Sequence, residues 1–127
     1  MKNKSIASSS LKFFSVLLLV IIALVFYKYN LSLRNNLVII NQGSNIWTNV
    51  KISAGGENFY FDEITNGESK RLRFYSKSED GGSFEGVLNK VNYKKSGISY
   101  FTPNMSTKDK IILSDDGRIN VMPFPEG

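Results

Sequence analysis

Side chains able to do acid–base or nucleophilic chemistry near neutral pH are scarce here. The sequence has no histidine and no cysteine, so carboxylates are what remain. The missing imidazole removes Ser-His-Asp and Cys-His arrangements and histidine-ligated zinc. The missing thiol removes thiolate nucleophiles, cysteine-ligated zinc and disulfides. Two carboxylate pairs stand out. Asp62-Glu63 are adjacent, and neighbours on a strand point to opposite faces, so they cannot flank one glycosidic bond. The pair reads as a strand end running into a turn. Asp115-Asp116-Gly117 opens like a calcium loop but lacks oxygen ligands at alternate positions and a distal Glu. It stands between two apolar runs and reads as a hairpin turn. No metal, no cofactor and no enzymatic activity are expected.

Binding chemistry is better represented. Trp47 and the tyrosines Tyr60, Tyr75, Tyr93 and Tyr100 are residue types that form sugar or peptide platforms, although a small β domain also needs aromatic bulk in its core. Lys70, Arg71 and Arg73 form the one local basic cluster after residue 36, and on a strand Arg71 and Arg73 share a face. The candidate binding surface is therefore Trp47, Tyr60, Arg71, Arg73 and Tyr75. Five cations (Lys2, Lys4, Lys12, Lys28, Arg34) and no acid precede residue 37, and the remaining 11 cations are matched by 11 acids. The basic balance thus belongs to the N-terminal segment, and a nucleic-acid partner, which needs a clustered cationic face, is not expected.

These groups must be positioned by two very different parts of the chain. Phe13 to Tyr27 is an uncharged run of 15 residues between Lys12 and Lys28. A bilayer core of about 30 Å needs roughly 20 helical residues. Snorkelling of the flanking lysines extends the run to residues 11–29, with Tyr27 and Tyr29 at interfacial positions. The run is apolar on all sides, which a small domain cannot bury. The flank after it offers no A-x-A-like cleavage site, which favours an uncleaved signal-anchor over a cleaved signal peptide. Lysines before the run place the N-terminus in the cytoplasm and the remainder outside, in the bacterial periplasm or on the outer face. The expected division is a cytoplasmic tail (1–10), a transmembrane helix (11–29) contacting lipid, a linker (30–36) and one domain (37–127).

That domain reads as all β. Short alternating or apolar runs recur at 37–41, 47–53, 58–64, 70–76, 83–90, 92–101, 110–114 and 118–122. They are separated by turn signals such as Gly55-Gly56, Asn66-Gly67, Asp80-Gly81-Gly82 and Asp115-Asp116-Gly117. Seven or eight antiparallel strands at this spacing predict a β-sandwich, Ig-like in the first instance, with a small barrel as the alternative. The expected core is Val38, Ile40, Val50, Ile52, Phe59, Phe61, Leu72, Phe74, Phe84, Leu88, Ile98, Tyr100, Ile111, Leu113, Ile119 and Val121.

Val38-Ile39-Ile40-Asn41, Asn49-Val50-Lys51-Ile52, Asn66-Gly67-Glu68-Ser69 and the closing element from Ile111 to Val121 resemble small bacterial membrane-anchored proteins that pair an N-terminal helix with an Ig-like or transthyretin-like sandwich. Asn66 stands where such proteins would carry Pro. The resemblance implies a fold and an extracytoplasmic location, and brings no catalytic residues. The expected role is a non-catalytic interaction module for an envelope protein partner. Binding of a sugar, a peptide or a toxin (immunity-type) is the alternative.

Overall fold

A single helix precedes eight strands, and the two parts form separate units that divide after Ser32. The computed structural model describes residues 2–32 and 34–123, with side chains from 9 to 30 and from 34 to 123. Residues 124–127, expected to belong to the domain, lie outside the described residues. Helix α1 (Lys2–Ser32) contains no Gly, Pro or acid, and its interior is Leu-, Ile- and Val-rich with apolar residues on every side. Ser9–Asn30 is by length and composition long and apolar enough to cross a membrane, and none of it is buried in protein. The helix runs farther in both directions than the expected 11–29. It takes in most of the stretch read as a tail and the start of the stretch read as a linker.

The strands are β1 (Asn35–Asn41), β2 (Trp47–Ala54), β3 (Glu57–Ile64), β4 (Ser69–Phe74), β5 (Ser83–Leu88), β6 (Val91–Ser96), β7 (Lys108–Leu113) and β8 (Ile119–Pro123). They make a sandwich of two four-stranded sheets, β4-β1-β7-β8 (sheet A) and β3-β2-β5-β6 (sheet B). All pairings are antiparallel except β1 with β7. The sandwich is the expected one, but its strand order is not that of the immunoglobulin fold, where the first strand lies beside the second. Here β1 lies between β4 and β7.

Local chemistry explains most of the hairpins. Gly55 and Gly56 both take positive φ between β2 and β3, as a two-residue hairpin loop requires. Asn89 and Lys90 do the same between β5 and β6, although neither is glycine. Asn35 and Asn41, at the two ends of β1, are fully buried and bond to loops. Asn35 Oδ1 accepts the Thr107 N–H at 2.7 Å, and Asn41 Nδ2 donates to the Asn45 and Ile64 carbonyls at 2.8 and 2.9 Å.

The core lies between the sheets and contains Leu37, Ile39, Trp47, Val50, Ile52, Ile64, Leu72, Phe74, Phe84, Leu88, Ile98, Phe101, Ile111, Leu113 and Ile119. Four expectations need correction. On β1 the residues facing the core between the sheets are Leu37 and Ile39, so Val38, though buried, and Ile40 belong to the opposite face. On an apolar run a one-residue shift of phase exchanges the faces, and alternation alone does not choose between them. Tyr100 is 51% exposed, and its neighbour Phe101 fills the core instead. The extended run expected at 92–101 ends at Ser96, where Gly97 turns at positive φ. Phe59, Phe61 and Val121 are only partly buried against the core.

Candidate interaction surfaces

The five residues expected to form one binding surface are split three ways. Trp47 is fully buried, which corrects its assignment to the surface. It packs edge-on against Phe84 at 5.9 Å and at a tilt against Tyr93 at 5.7 Å. Room for the indole comes from Gly86 on the paired strand, where a Cβ would stand 3.0 Å from the Trp47 ring. Tyr60 is on the outer face of sheet B, 68% exposed. Arg71 and Arg73 are exposed on β4 in sheet A, and Tyr75, also exposed, follows β4 in step with them.

Around Tyr60, sheet B carries a shallow open groove of about 380 Å³, bordered by Asn49, Lys51, Asp62 and Glu85. Asn49 is a bulge: it has positive φ, and the register of β2 against β5 shifts between Thr48 and Lys51. Lys51 and Lys94 lie opposite Glu85 on either side, and the Asn92 amide donates to Glu85 Oε1 at 3.1 Å. Charges on this face are thus interleaved in sign. β3, which carries Tyr60, is an edge strand.

The outer face of sheet A follows from the inward assignments. Leu72, Leu37, Ile39, Ile111 and Ile119 point to the core, so Arg71, Arg73, Asn36, Val38, Ile40, Lys108, Lys110, Ile112, Asn120 and Met122 stand on the other side. Register places Arg71, Val38, Lys110 and Met122 in one row, and Arg73, Asn36 and Lys108 in the next. Among the described residues these strands present four cations and no acid to this face. Lys108 and Lys110 were not anticipated from the sequence, yet Lys-x-Lys on β7 repeats the spacing of Arg-x-Arg on β4.

Asp115 and Asp80 are occupied in tying loops. Asp115 accepts the Ser44 and Asn45 N–H groups at 2.9 and 3.0 Å, and these bonds hold its carboxyl below the usual carboxylate range. Gly43 permits this approach, since a Cβ there would overlap the Asp115 carboxyl. Asp80 accepts N–H groups of Gly55, Gly56 and Gly82 at 3.0–3.2 Å and pairs with Phe101 in a lone bridge. Tyr100 donates to Glu79, and that bond pushes the phenol upward from its ordinary value. Among the described residues no group of His, Cys, Asp and Glu could hold a metal ion.

No protein-family model matches the chain, and no curated protein does. Among solved structures it is similar to a protein from Eubacterium rectale determined by NMR, with 15% identity over 75% of this chain and 91% of that one, at a TM-score of 0.51. At that identity the likeness is one of fold. Pneumolysin overlaps 73% of this chain with 24% of its own, at 9% identity and a TM-score of 0.39.

Proposed function

We propose that this chain is a single-pass, membrane-anchored, non-catalytic interaction module, with its N-terminus in the cytoplasm and its sandwich displayed outside as an uncleaved signal-anchor protein. α1 supports the anchor, being apolar on every side over a length sufficient to span. The three N-terminal lysines and the absence of acids before Glu57 support the orientation. The observation that carries the module reading is Tyr60, standing exposed on an edge strand above a groove edged by Lys51, Asp62 and Glu85. An extended protein segment adding to β3 would satisfy that strand's outward backbone groups and lay a side chain against the phenol ring. Charges of both signs around the groove suit a polar protein strand better than a sugar, and burial of Trp47 withdraws the largest stacking surface. The test is photo-crosslinking in cells from a probe at position 60 of the full-length protein. A single reproducible adduct that disappears when Glu85 and Lys51 are exchanged for alanine supports the reading. No adduct above that of a probe at exposed position 105 contradicts it.

A further inference from the structure

We propose that the outer face of sheet A lies on the anionic headgroups of the bilayer that holds α1, so that the two faces of the sandwich have separate tasks. This inference rests on the reading of α1 as a retained membrane anchor.

Charge is the first argument. Arg71, Arg73, Lys108 and Lys110 share the face, and no acid of β4, β1, β7 or β8 stands among them. β4 and β7 are separated only by β1, so cations on them are about 10 Å apart, near the screening length at physiological salt. Sheet B shows that this chain can interleave Lys with Glu across strands, and on sheet A it does not. A surface of phosphodiesters would supply the missing counter-charge, with Arg offering a bidentate fork.

Strand direction is the second argument. β1 enters sheet A directly after α1, β7 runs parallel to it, and β4 and β8 run against it. The end of the sheet where the chain enters therefore holds Arg73 and Lys108 flanking Asn36, with Tyr75 beyond. The far end holds the uncharged row Ser69, Ile40, Ile112 and Asn120. The cations thus sit toward the end of the sheet at which the chain enters it. Residues 33 and 34 alone connect α1 to β1, a covalent reach of about 11 Å. A tether this short keeps the face at high effective concentration against the bilayer surface.

The third argument is composition. Val38 and Ile112, between the cationic strands, are buried, so the apolar side chains this face exposes are Met122 at its margin and Tyr75, an interfacial residue type. Cations with exposed Met122 and Tyr75 at their margin suit a headgroup surface that the apolar side chains can enter from the edge. Docked in this way, sheet A faces lipid and the groove on sheet B faces away from it.

The test uses the full-length protein in vesicles of phosphatidylcholine, with or without phosphatidylglycerol. The chain has no cysteine, so Met122→Cys and Tyr60→Cys each give one labelling site for an environment-sensitive fluorophore. With phosphatidylglycerol at low salt, a headgroup-borne quencher is expected to quench the label at 122 severalfold more than in phosphatidylcholine alone. The label at 60 should be unaffected by lipid composition. Each cation near an anionic surface contributes about a fivefold factor, so Arg71→Gln with Arg73→Gln should weaken the docked state by about 25-fold, as high salt should. Retained β-type circular dichroism guards against misfolding. Equal quenching at 122 in both lipids overturns the proposal. So does shielding of 122 from aqueous quencher without lipid quenching, which would mean that an acidic protein or a second copy covers the face. Failure of the protein to float with phosphatidylcholine vesicles would instead defeat the anchor reading.

Discussion

On sheet B, Glu85 stands between Lys51 and Lys94 across neighbouring strands, whereas on sheet A the corresponding middle position is Val38, with Arg71 on one side and Lys110 on the other. The frames are alike, four strands each, and the core beneath both is continuous. What differs is what each face asks of its surroundings. Opposite charges placed across strands satisfy one another and contribute a few tenths of a kcal/mol to about 1 kcal/mol. Like charges two strands apart repel weakly and gain only when something outside is negative. A face whose charges are mixed in sign is free to recognise shape through Tyr60, and a face of one sign is suited to a charged surface.

The comparison holds only if the core supports both faces together. Trp47→Ala should destabilise the domain by about 3–5 kcal/mol, the largest effect expected, because a fully buried indole leaves a cavity. Chemical denaturation of the full-length protein in detergent should then report one transition, with labels on both faces changing together. Asp80→Ala comes next, at about 1–2 kcal/mol. It frees three glycine N–H groups and loosens the β2–β3 turn against the β4–β5 loop, and protease sensitivity near Gly55 should rise. Glu85→Lys makes the sheet B row cationic throughout, with like charges directly opposite, and should cost about 0.5–1 kcal/mol at low salt and less at high salt. Lys110→Glu makes the opposite change and should be neutral or slightly stabilising at low salt.

Acid should loosen the Asp115 clasp only below the ordinary carboxylate range. Asp115 has its folded carboxyl pKa depressed by the Ser44 and Asn45 N–H groups. Its contribution is therefore fully present above the ordinary carboxylate range near pH 4 and is lost as pH falls through the lower folded value. Amide chemical shifts of Ser44 and Asn45 should titrate together in that acidic window, and Asp115→Asn should abolish the titration. The smallest effect expected is Tyr60→Ala, within about 0.5 kcal/mol of unchanged stability, because the ring is mostly solvent-exposed.

The apolar run, the eight strands in outline and most of the core were legible in the sequence, because alternation and glycine turns are local signals, while the run expected at 92–101 ended early at Ser96. The two faces were not, for three physical reasons. Leu37 to Ile40 is apolar at every position, so its phase is set by partners far along the chain, above all the parallel pairing with β7. Trp47 has the composition of a binding residue and the environment of a core residue, and Gly86, 39 residues away, decides between them. Arg71-x-Arg73 and Lys108-x-Lys110 are separate in sequence and become one surface only when β1 inserts between β4 and β7. The hairpin at Asn89-Lys90 was also hidden, since its positive φ values fall on residues other than glycine.

The most direct test of an anchored, outward-facing sandwich is labelling of the Tyr60→Cys full-length protein in intact cells with a membrane-impermeant maleimide, followed by carbonate washing of the membranes. The account predicts a labelled species at the full mass of 14.3 kDa that stays with the washed membranes. A labelled but shortened soluble species, or a membrane-bound species labelled only after the cells are broken, would contradict it.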